Sequence, residues 1–573
     1  MKTITTRSPY KGVFFINHNT IHKIIRFLFM VSFCSISAQN TAEVDALFEK
    51  YNSTTTPGIA VSVTKEGKAL YQKGFGMANL EYGIPISEKT KFHVASLSKQ
   101  FTAFMILKLE DEGLLSINDD VRNYIPELPD YGKTITIHHL LTHSSGIRDQ
   151  WRLLELAGWR LDDVIKTEQV FKLITNQKEL NFSPGDNFKY SNSGYTLLAI
   201  IVERLTKTSF ANYAKQIIFE PLQMNHSFFY DDHEVMVPNR AYSYKKVNDQ
   251  LKKSNLNFAT VGPTSLFTTI EDINKWAHNF KSKIVGNERI FQSMNQKAQK
   301  NDGSVSSYAK GQFVKNHKGL KMIYHSGSDA GYRCYFARFP ELGYEFSVFA
   351  NASYISAYDE IFKLIDHYLQ DYYPADENNA QANEPFQYND DLFVKLSQAE
   401  MKKFEGTYFD REEKNYWKVQ FKNDTLYCTG GILPEDIKLH AVGKKNFKIK
   451  GTPYDISVNF KENDYKEPIL EFRIPDIMWL WLTKVKAVNT SDYLGSYYNE
   501  ELNAEYHLIE KNNALYLTHQ ELDDIKIIPI NEAYFSSNNR NFSNIRFKRN
   551  KMEKVVGFSI SNGGIENIVF SKK

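Results

Sequence analysis

The sequence predicts a mixed α+β or α/β domain followed by all-β antiparallel barrel modules, on the basis of three observations. Residues 39–373 combine helical patterns, as at 101–109, with strand-like runs, as at 59–63. Residues 374–391 are polar, rich in Asn and without periodicity, which is typical of a linker. Beyond this linker helical periodicity almost disappears, and the sequence repeats itself.

Length and composition indicate a chain of several domains. The 573 residues exceed a single core, since about 100 to 200 residues per domain suggests about three to five units. Lys+Arg number 70 against 67 Asp+Glu, which leaves a formal charge of +3 without a dense basic run. We therefore predict no nucleic-acid partner. The counts of 34 Tyr and 40 Phe suit a chain rich in β-structure.

Residues 1–38 have the pattern of an export signal. Basic residues precede the apolar run 27–33, and small residues follow at 35–38. The pattern predicts cleavage after Ala38 and an exported protein, periplasmic in a bacterium or secreted. The alternative is an uncleaved membrane anchor, although the apolar run is shorter than the ~20 residues that a span needs. We expect membrane association only in that case.

Cysteine usage gives no sign of a metal or a disulfide framework. After cleavage Cys334 and Cys428 remain, far apart in the sequence. Their spacing is wrong for a zinc site and poor for a disulfide scaffold. We predict no metal site and no cofactor.

The tail contains two similar segments at one constant offset. The motif around Gly406 is repeated around Gly495, and Leu426 is matched by Leu515, both 89 residues later. We interpret the tail as tandem β-barrel modules over residues 392–486 and 487–573. The alternative is one larger barrel made of two halves. We expect the tail and the 39–373 domain each to bury their own apolar residues.

Ser96 is the candidate nucleophile, followed three residues later by Lys99. The same Ser-x-x-Lys spacing occurs at positions 8, 62, 243 and 307, so the motif alone decides nothing. Only Ser96 begins a strongly apolar helical run, which predicts a rigid helix start with an exposed hydroxyl. Residues three apart share a helix face, so Lys99 Nζ can reach Ser96 Oγ.

A lysine base needs burial and hydrogen-bonding partners to lose its proton near neutral pH. Tyr190-Ser191-Asn192 lies on a predicted turn before another apolar helix. Its phenol and amide could relay a proton and orient Lys99. A third segment, His325-Ser326-Gly327-Ser328, ends a strand-like run, and its glycine is expected to let substrate lie against the strand edge.

The chain resembles the penicillin-recognising serine hydrolases, the group of class C β-lactamases, D-alanyl-D-alanine peptidases and D-aminopeptidases. Three motifs occur in the family's order: Ser96-Leu97-Ser98-Lys99, Tyr190-Ser191-Asn192 and His325-Ser326-Gly327. The resemblance covers about residues 42–368 and implies an α/β sandwich of the β-lactamase/transpeptidase type. The tail is similar to the lipocalin-like barrels that follow the catalytic domain in D-aminopeptidase-like members.

The resemblance also implies roles. Ser96 would become acylated, with Lys99 as general base, and Tyr190 would pass the proton to the leaving group. Asn192 would hold Lys99 and the substrate amide, while His325, Ser326 and Gly327 would line the substrate strand. The N–H groups of Ser96 and Ser328 would form the oxyanion hole. Which of Lys99 and Tyr190 acts as the base stays open.

Other residues have simpler interpretations. For His143 a turn or packing role is favoured over a triad histidine. Trp276 and Tyr332 are candidates for the cleft or, equally, for the core.

We therefore predict an exported serine hydrolase that cleaves amide or ester bonds of a small-molecule or peptide substrate, D-configured peptides included. The alternatives are a true β-lactamase and a catalytically idle penicillin-binding-like interaction protein. His325 stands where efficient β-lactamases have a lysine, so a fixed cation for the β-lactam carboxylate is missing there. The oligomeric state is left open.

Overall fold

The computed structural model describes residues 41–374, 386–410, 416–430, 433–452, 454–463, 466–475, 478–485, 488–537 and 539–573. The predicted export signal and most of the predicted linker lie outside these ranges.

The α-helices of the described chain lie in the first part of the protein, except α11, which directly precedes the first barrel of the tail. They are α1 over residues 41–48, α2 (Ser98–Asp111), α3 (Ile137–Leu141), α4 (Gln150–Leu156), α5 (Thr167–Thr175), α6 (Asn192–Thr206), α7 (Phe210–Ala214), α8 (Ile270–Ser282), α9 (Glu288–Asn295), α10 (Ala357–Leu369) and α11 (Gln398–Lys402).

Six of the strands in this part form one antiparallel sheet, in the order β10-β11-β12-β13-β1-β2. All the strands described in this part of the chain, including those outside the large sheet, are β1 (Ile59–Lys65), β2 (Lys68–Phe75), β3 (Met77–Asn79), β4 (Ile84–Pro85), β5 (Phe92–His93), β6 (Phe228–Phe229), β7 (Tyr244–Val247), β8 (Gln250–Lys253), β9 (Leu266–Thr268), β10 (Phe313–His317), β11 (Leu320–Asp329), β12 (Tyr332–Phe339) and β13 (Tyr344–Ala350).

The central strands are buried on both faces because helices cover the sheet on both sides. On one face Phe48 of α1 and Leu364 of α10 pack with Val61 and Val348 of the sheet. On the other face α8 crosses the sheet, and Asn274 Nδ2 donates to Ser62 Oγ over 2.7 Å. The predicted α+β domain is therefore present. Helices α2 to α7 pack on one another beside the sheet and form its helical lobe.

Helix α2 carries the Ser-x-x-Lys motif into the core. It follows a 3₁₀ turn over Ala95–Leu97, and nearly all its residues are buried, as the apolar run predicts. The chain leaves the helix at Gly113, which has a φ of 71°, a conformation that glycine adopts without strain.

The tail forms two closed eight-stranded barrels, so the tandem interpretation is confirmed and the single larger barrel is wrong. The first barrel contains β14 (Gly406–Phe409), β15 (Tyr416–Lys422), β16 (Thr425–Gly430), β17 (Leu433–Ala441), β18 (Asn446–Ile449), β19 (Ile456–Glu462), β20 (Pro468–Ile474) and β21 (Met478–Lys484). The second contains β22 (Gly495–Asn499), β23 (Ala504–Lys511), β24 (Ala514–His519), β25 (Leu522–Pro529), β26 (Tyr534–Ser536), β27 (Ile545–Arg549), β28 (Val555–Asn562) and β29 (Ile565–Lys572).

The sequence repeat marks equivalent positions in the two barrels. Gly406 opens β14 with a φ of 147°, and Gly495 opens β22 with a φ of 138°. Both values lie where side chains other than glycine are strained, so the repeated glycine has a backbone cause.

The two barrels differ in how they bury their interiors. The first barrel has a hydrophobic cluster of its own, around Trp417 and Phe472. The interior of the second barrel is continuous with the helical lobe of the α+β domain, and the buried Tyr506 hydroxyl donates to Leu156 O over 3.1 Å. The expectation that the tail and the 39–373 domain have separate cores is therefore wrong for the second barrel, because its wall packs directly on α4.

Cys334 and Cys428 are buried, and neither forms a disulfide. Within the described ranges, no helix is long and apolar enough to cross a membrane.

Candidate active site

Ser96 sits in a tight turn between a sheet edge and helix α2. The residue before it, Ala95, has a φ of 47°, an uncommon conformation for a non-glycine residue that costs conformational energy. Ser98 holds the turn, because its Oγ donates to Ala95 O over 2.6 Å and accepts from Leu266 N over 3.1 Å. The turn is thus rigid, while Ser96 itself stays partly exposed.

Lys99 is fully buried and has hydrogen-bonding neighbours on three sides. Its Nζ lies 3.1 Å from Ser96 Oγ, 2.8 Å from Asn192 Oδ1 and 2.8 Å from the Pro263 carbonyl oxygen. Burial lowers the pKa of Lys99 from 10.5 to about 7, against the opposing effect of the Asp329 and Asp149 carboxylates. A large share of the amine is therefore neutral near pH 7.

The three neighbours suit a neutral amine. Two of them, Asn192 Oδ1 and Pro263 O, are carbonyl oxygens that only accept hydrogen bonds. An amine directs its two N–H bonds to these oxygens, and its lone pair then faces the Ser96 hydroxyl. Ser96 is the one of the three that can donate its proton to Lys99.

Tyr190 closes the site on the side of helix α6. Its ring packs on His143 with the ring centroids 4.2 Å apart, and Lys99 Nζ lies 4.8 Å from its ring centroid. The hydroxyl is buried and makes no well-formed hydrogen bond within the described part of the chain. Burial raises the pKa of Tyr190 well above its usual value, and the nearby Ser96 hydroxyl opposes this rise.

His143 has the turn and packing role favoured from the sequence. It has a φ of 57°, its Nδ1 accepts from Ser191 N over 3.2 Å, and it packs between Tyr190 and Tyr195. It therefore supports the turn that carries Tyr190.

His325 on β11 points into the core and not into the cleft. It is 2% exposed, its Nδ1 lies 2.7 Å from Ser326 O, and its Nε2 lies 3.3 Å from the Tyr308 hydroxyl. Burial lowers the pKa of His325 to about 3, with a further contribution from Lys99. The imidazole is therefore neutral throughout the physiological range.

Alternate residues of β11 face the opposite way. Ser326 and Ser328 are exposed, and Ser328 lines the cleft. The expected reason for Gly327 needs correction, because its near neighbours are parts of the protein and not open space for substrate. A Cβ on Gly327 would lie 2.3 Å from Val94 O and 3.0 Å from Ala95 Cβ. The glycine lets β11 approach the turn that carries Ser96.

Asp329 adds a partly buried carboxyl group to the site. It accepts a hydrogen bond from the Thr264 hydroxyl, and burial raises its pKa to about 6. It is therefore charged at pH 7 and favours the protonated form of Lys99.

A cleft of about 600 Å³ adjoins these side chains. Tyr190, Asn192 and Ser328 line it from the catalytic domain, while Arg540 and Gly564 line it from the second barrel. Its charged side chains are balanced, with basic Arg152, Lys245, Arg333 and Arg540 against acidic Asp149, Glu155, Asp162 and Asp329.

The structure brings together the predicted Ser96, Lys99, Tyr190 and Asn192, with Ser328 at the cleft wall. Trp276 and Tyr332 are core residues, since both are buried, and Trp276 stacks on Phe101 with the ring centroids 4.4 Å apart.

Three contributors were missed from the sequence. They are the Pro263 carbonyl, Asp149 and the second barrel. Every residue has a backbone carbonyl, so the sequence does not indicate which one contacts Lys99. Asp149 has the pattern of an ordinary helix N-cap for α4.

The antiparallel sheet, the helical lobe beside it and the Ser-x-x-Lys pair at the start of a buried helix define the class of fold to which the chain belongs. The chain belongs to the β-lactamase family, whose model matches residues 44–369. The predicted resemblance to the penicillin-recognising hydrolases and the β-lactamase/transpeptidase type of fold are therefore confirmed.

Individual relatives are distant. Protein flp of Staphylococcus aureus strain MRSA252 is 29% identical over 325 residues, which make up 54% of this chain and 62% of flp. The chain thus spans less than two thirds of that relative's length.

Two solved structures share the fold. The octameric penicillin-binding protein homologue from Pyrococcus abyssi has a TM-score of 0.54 and 24% identity, covering 77% of this chain and 99% of that chain. The D-amino acid amidase from Ochrobactrum anthropi SV3, solved with D-phenylalanine, has a TM-score of 0.51 and 16% identity, covering 58% of this chain and 99% of that chain.

Proposed function

We propose that this protein is an exported hydrolase that forms an acyl-enzyme on Ser96 and cleaves amide or ester bonds of small substrates. The observation that carries the proposal is the environment of Lys99. A buried lysine with a pKa of about 7 has the Ser96 hydroxyl as its one potential proton donor among three hydrogen-bonding neighbours. Such an arrangement activates a serine and has no evident structural purpose.

The proposed reaction begins with transfer of the Ser96 hydroxyl proton to the lone pair of Lys99 Nζ. Ser96 Oγ then attacks the substrate carbonyl carbon, and the carbonyl electron pair moves to oxygen. Collapse of this intermediate expels the amine or alkoxide, which takes a proton that reaches it through Tyr190. Water then attacks the acyl-enzyme by the reverse sequence, which releases the acid and returns the proton to Ser96.

Lys99 is the better candidate for the base in this proposal. Its pKa lies near neutrality, whereas burial raises the pKa of Tyr190 further above its usual range. A base with a pKa near the working pH combines availability with driving force. Tyr190 is then a relay whose hydroxyl is free to bond the leaving group.

The oxyanion hole is assigned to the N–H groups of Ser96 and Ser328. Gly327 supports this assignment, because it allows β11 to pack against the Ala95–Ser96 turn. Each such donor is worth ~3 to 4 kcal/mol of transition-state stabilisation.

The substrate class follows from the charges of the cleft. His325 is neutral and faces the core, so it does not give the cleft the fixed cation of an efficient β-lactamase. We propose short esters and aminoacyl amides, with D-configured residues included because the fold is shared with a D-amino acid amidase. A β-lactamase is the second candidate, because Arg333 lines the cleft with Ser328 and could take a carboxylate.

Covalent labelling tests the reaction. A fluorophosphonate should label wild-type protein at Ser96, as located by peptide mass spectrometry, and Ser96→Ala should lose the label while keeping its fold. Ser307→Ala is the matched control, since Ser307 is exposed and starts another Ser-x-x-Lys match. Wild type that stays unlabelled would favour the idle interaction protein.

A substrate screen tests the class. We expect D- and L-aminoacyl amides and short acyl esters to be turned over faster than cephalosporins. Faster hydrolysis of cephalosporins than of every ester and amide would favour the β-lactamase.

Export rests on residues 1–38 alone. Mature protein recovered outside the cytoplasm with Gln39 at its N-terminus is the expected result. Full-length protein in the membrane fraction would support the uncleaved anchor.

A further inference from the structure

The second barrel touches the catalytic domain directly beside the cleft. At the turn between β28 and β29, Gly564 O accepts from Asp149 N over 3.0 Å and from Asn181 Nδ2 over 3.1 Å. In return Glu566 N donates to Asn181 Oδ1 over 2.7 Å. The turn is therefore joined to the catalytic domain through backbone groups, which fixes the two surfaces relative to each other.

Arg148, the residue before Asp149, makes further hydrogen bonds to the second barrel. Its side chain is 1% exposed, although it carries a guanidinium group. Its Nη1 donates to Glu501 Oε2 over 2.9 Å, and its Nη2 donates to Glu566 O over 3.0 Å. Because both acceptors belong to the second barrel, the barrel holds the chain on both sides of the Arg148–Asp149 peptide.

Asp149 in turn holds Asn192. Its Oδ2 accepts from the backbone N and from the Nδ2 of Asn192, each over 2.7 Å. A carboxylate only accepts hydrogen bonds, so the amide must present its NH₂ group to Asp149. The amide oxygen of Asn192 is thereby directed at Lys99 Nζ, 2.8 Å away.

We infer that Asp149 is a positioning residue for the Ser96–Lys99 pair and that Gly564 of the second barrel sets the position of Asp149. The inference rests on the proposed function and deepens it. Each link from Gly564 O to Asp149, Asn192 and Lys99 is a hydrogen bond of 2.7 to 3.0 Å. The second barrel is thus part of the catalytic apparatus, and its turn also forms one wall of the cleft.

Adjacent glycines in this turn provide a matched pair of variants. A Cβ on Gly564 would lie 2.9 Å from Asp149 Cβ and 2.9 Å from Arg152 Cγ. These atoms are close to the backbone, so Gly564→Ala must displace Asp149 or the turn. A Cβ on Gly563 would have no atom within 4 Å, so Gly563→Ala leaves the contact intact.

The experiment measures the rate of fluorophosphonate labelling of Ser96 in the full-length chain between pH 5.5 and pH 9, with thermal unfolding as a check on folding. Gly564→Ala is expected to slow labelling by roughly 10- to 100-fold, as small displacements of a catalytic group do. The labelling rate of this variant is expected to rise with pH through a midpoint that lies at lower pH than in wild type, because the Asp149 carboxylate no longer stabilises protonated Lys99. Gly563→Ala adds a methyl group to the same wall of the cleft without contacting Asp149, so the pH midpoint of its labelling should stay at the wild-type value.

Asp149→Asn is the second variant, in case Gly564→Ala does not fold. An amide has one accepting oxygen and cannot serve both Asn192 and the N–H of Trp151, which Asp149 Oδ1 now accepts over 3.1 Å. We expect the same slower labelling and the same direction of the pH shift. A role confined to stability would leave the midpoint unchanged.

The outcomes separate the two proposals. If wild type is labelled, and if folded Gly564→Ala and Asp149→Asn are labelled at the wild-type rate and with the wild-type pH midpoint, the inference is overturned. The proposed function then stays intact. An equal shift of the midpoint in Gly563→Ala and Gly564→Ala would also overturn the inference, since Asp149 is displaced in only one of them. Unlabelled wild type would overturn both.

Discussion

Replacing Lys99 by Met should make the stability of the protein less dependent on pH. Methionine fills a similar volume without a charge, so the variant loses the group whose pKa falls from 10.5 in the unfolded chain to about 7 in the native state. Between these values the unfolded chain binds more protons than the native state. The Lys99 contribution to the free energy of unfolding therefore rises as the pH rises through this window and is lowest below pH 7.

The size of the effect follows from the shift. One pKa unit corresponds to about 1.4 kcal/mol, so burying Lys99 costs about 4 kcal/mol at pH 7 and about 2 kcal/mol at pH 9. The hydrogen bonds that methionine forfeits at Asn192 Oδ1 and Pro263 O add a cost that does not change with pH. The stability difference between wild type and variant should accordingly change by about 2 kcal/mol between pH 7 and pH 9.

Calorimetric melting of both proteins at the two pH values measures this change, with an expected relative shift of a few degrees. Ser96→Ala keeps Lys99 and is the control that should follow wild type. Asp329, with a pKa of about 6, titrates below this window. In parallel, kcat/KM of wild type should rise with pH through a midpoint near 7, and Lys99→Ala should recover partly at high pH as hydroxide replaces the base. A melting difference that stays constant with pH would refute the assignment of a depressed pKa to Lys99.

Two further predictions concern substrate charge and domain docking. Arg333→Ala should lower cephalosporin turnover relative to ester turnover, because Arg333 lines the cleft with Ser328 and is the cation placed to take a β-lactam carboxylate. An unchanged ratio would contradict the charge argument. Cleavage at a protease site inserted near residue 379 should leave the tail bound to residues 42–373 during gel filtration, because the second barrel shares its core with the helical lobe; separate elution would show that the two parts are independent.

Local patterns predicted much of the fold and the residues at the centre of the site. The apolar run after Ser96 marked a buried helix, and the repeat at an offset of 89 residues marked two barrels. Both signals arise because the physical cause is local: helical burial in one case, and a left-handed glycine at each barrel start in the other.

The contact between Asp149 and Gly564 had no such signal. The two residues are 415 positions apart, and periodicity carries no information on how distant surfaces dock. The second barrel also looked self-sufficient, because alternating apolar residues fill a barrel interior whether or not its wall packs on another domain. The orientation of His325 was missed for a related reason: alternation along β11 fixes which residues share a face, but not which face meets the core.

The order of synthesis gives the position of Gly564 a further meaning. Gly564 follows Ser96 by 468 positions, so the proposed nucleophile, base and relay leave the ribosome long before the turn that we infer to align them. A nascent or C-terminally clipped chain would carry every acyl-transfer group and still lack the alignment of its amine. On the inferred role of the barrel, such a chain becomes competent for hydrolysis only after strands β28 and β29 have been made and have docked.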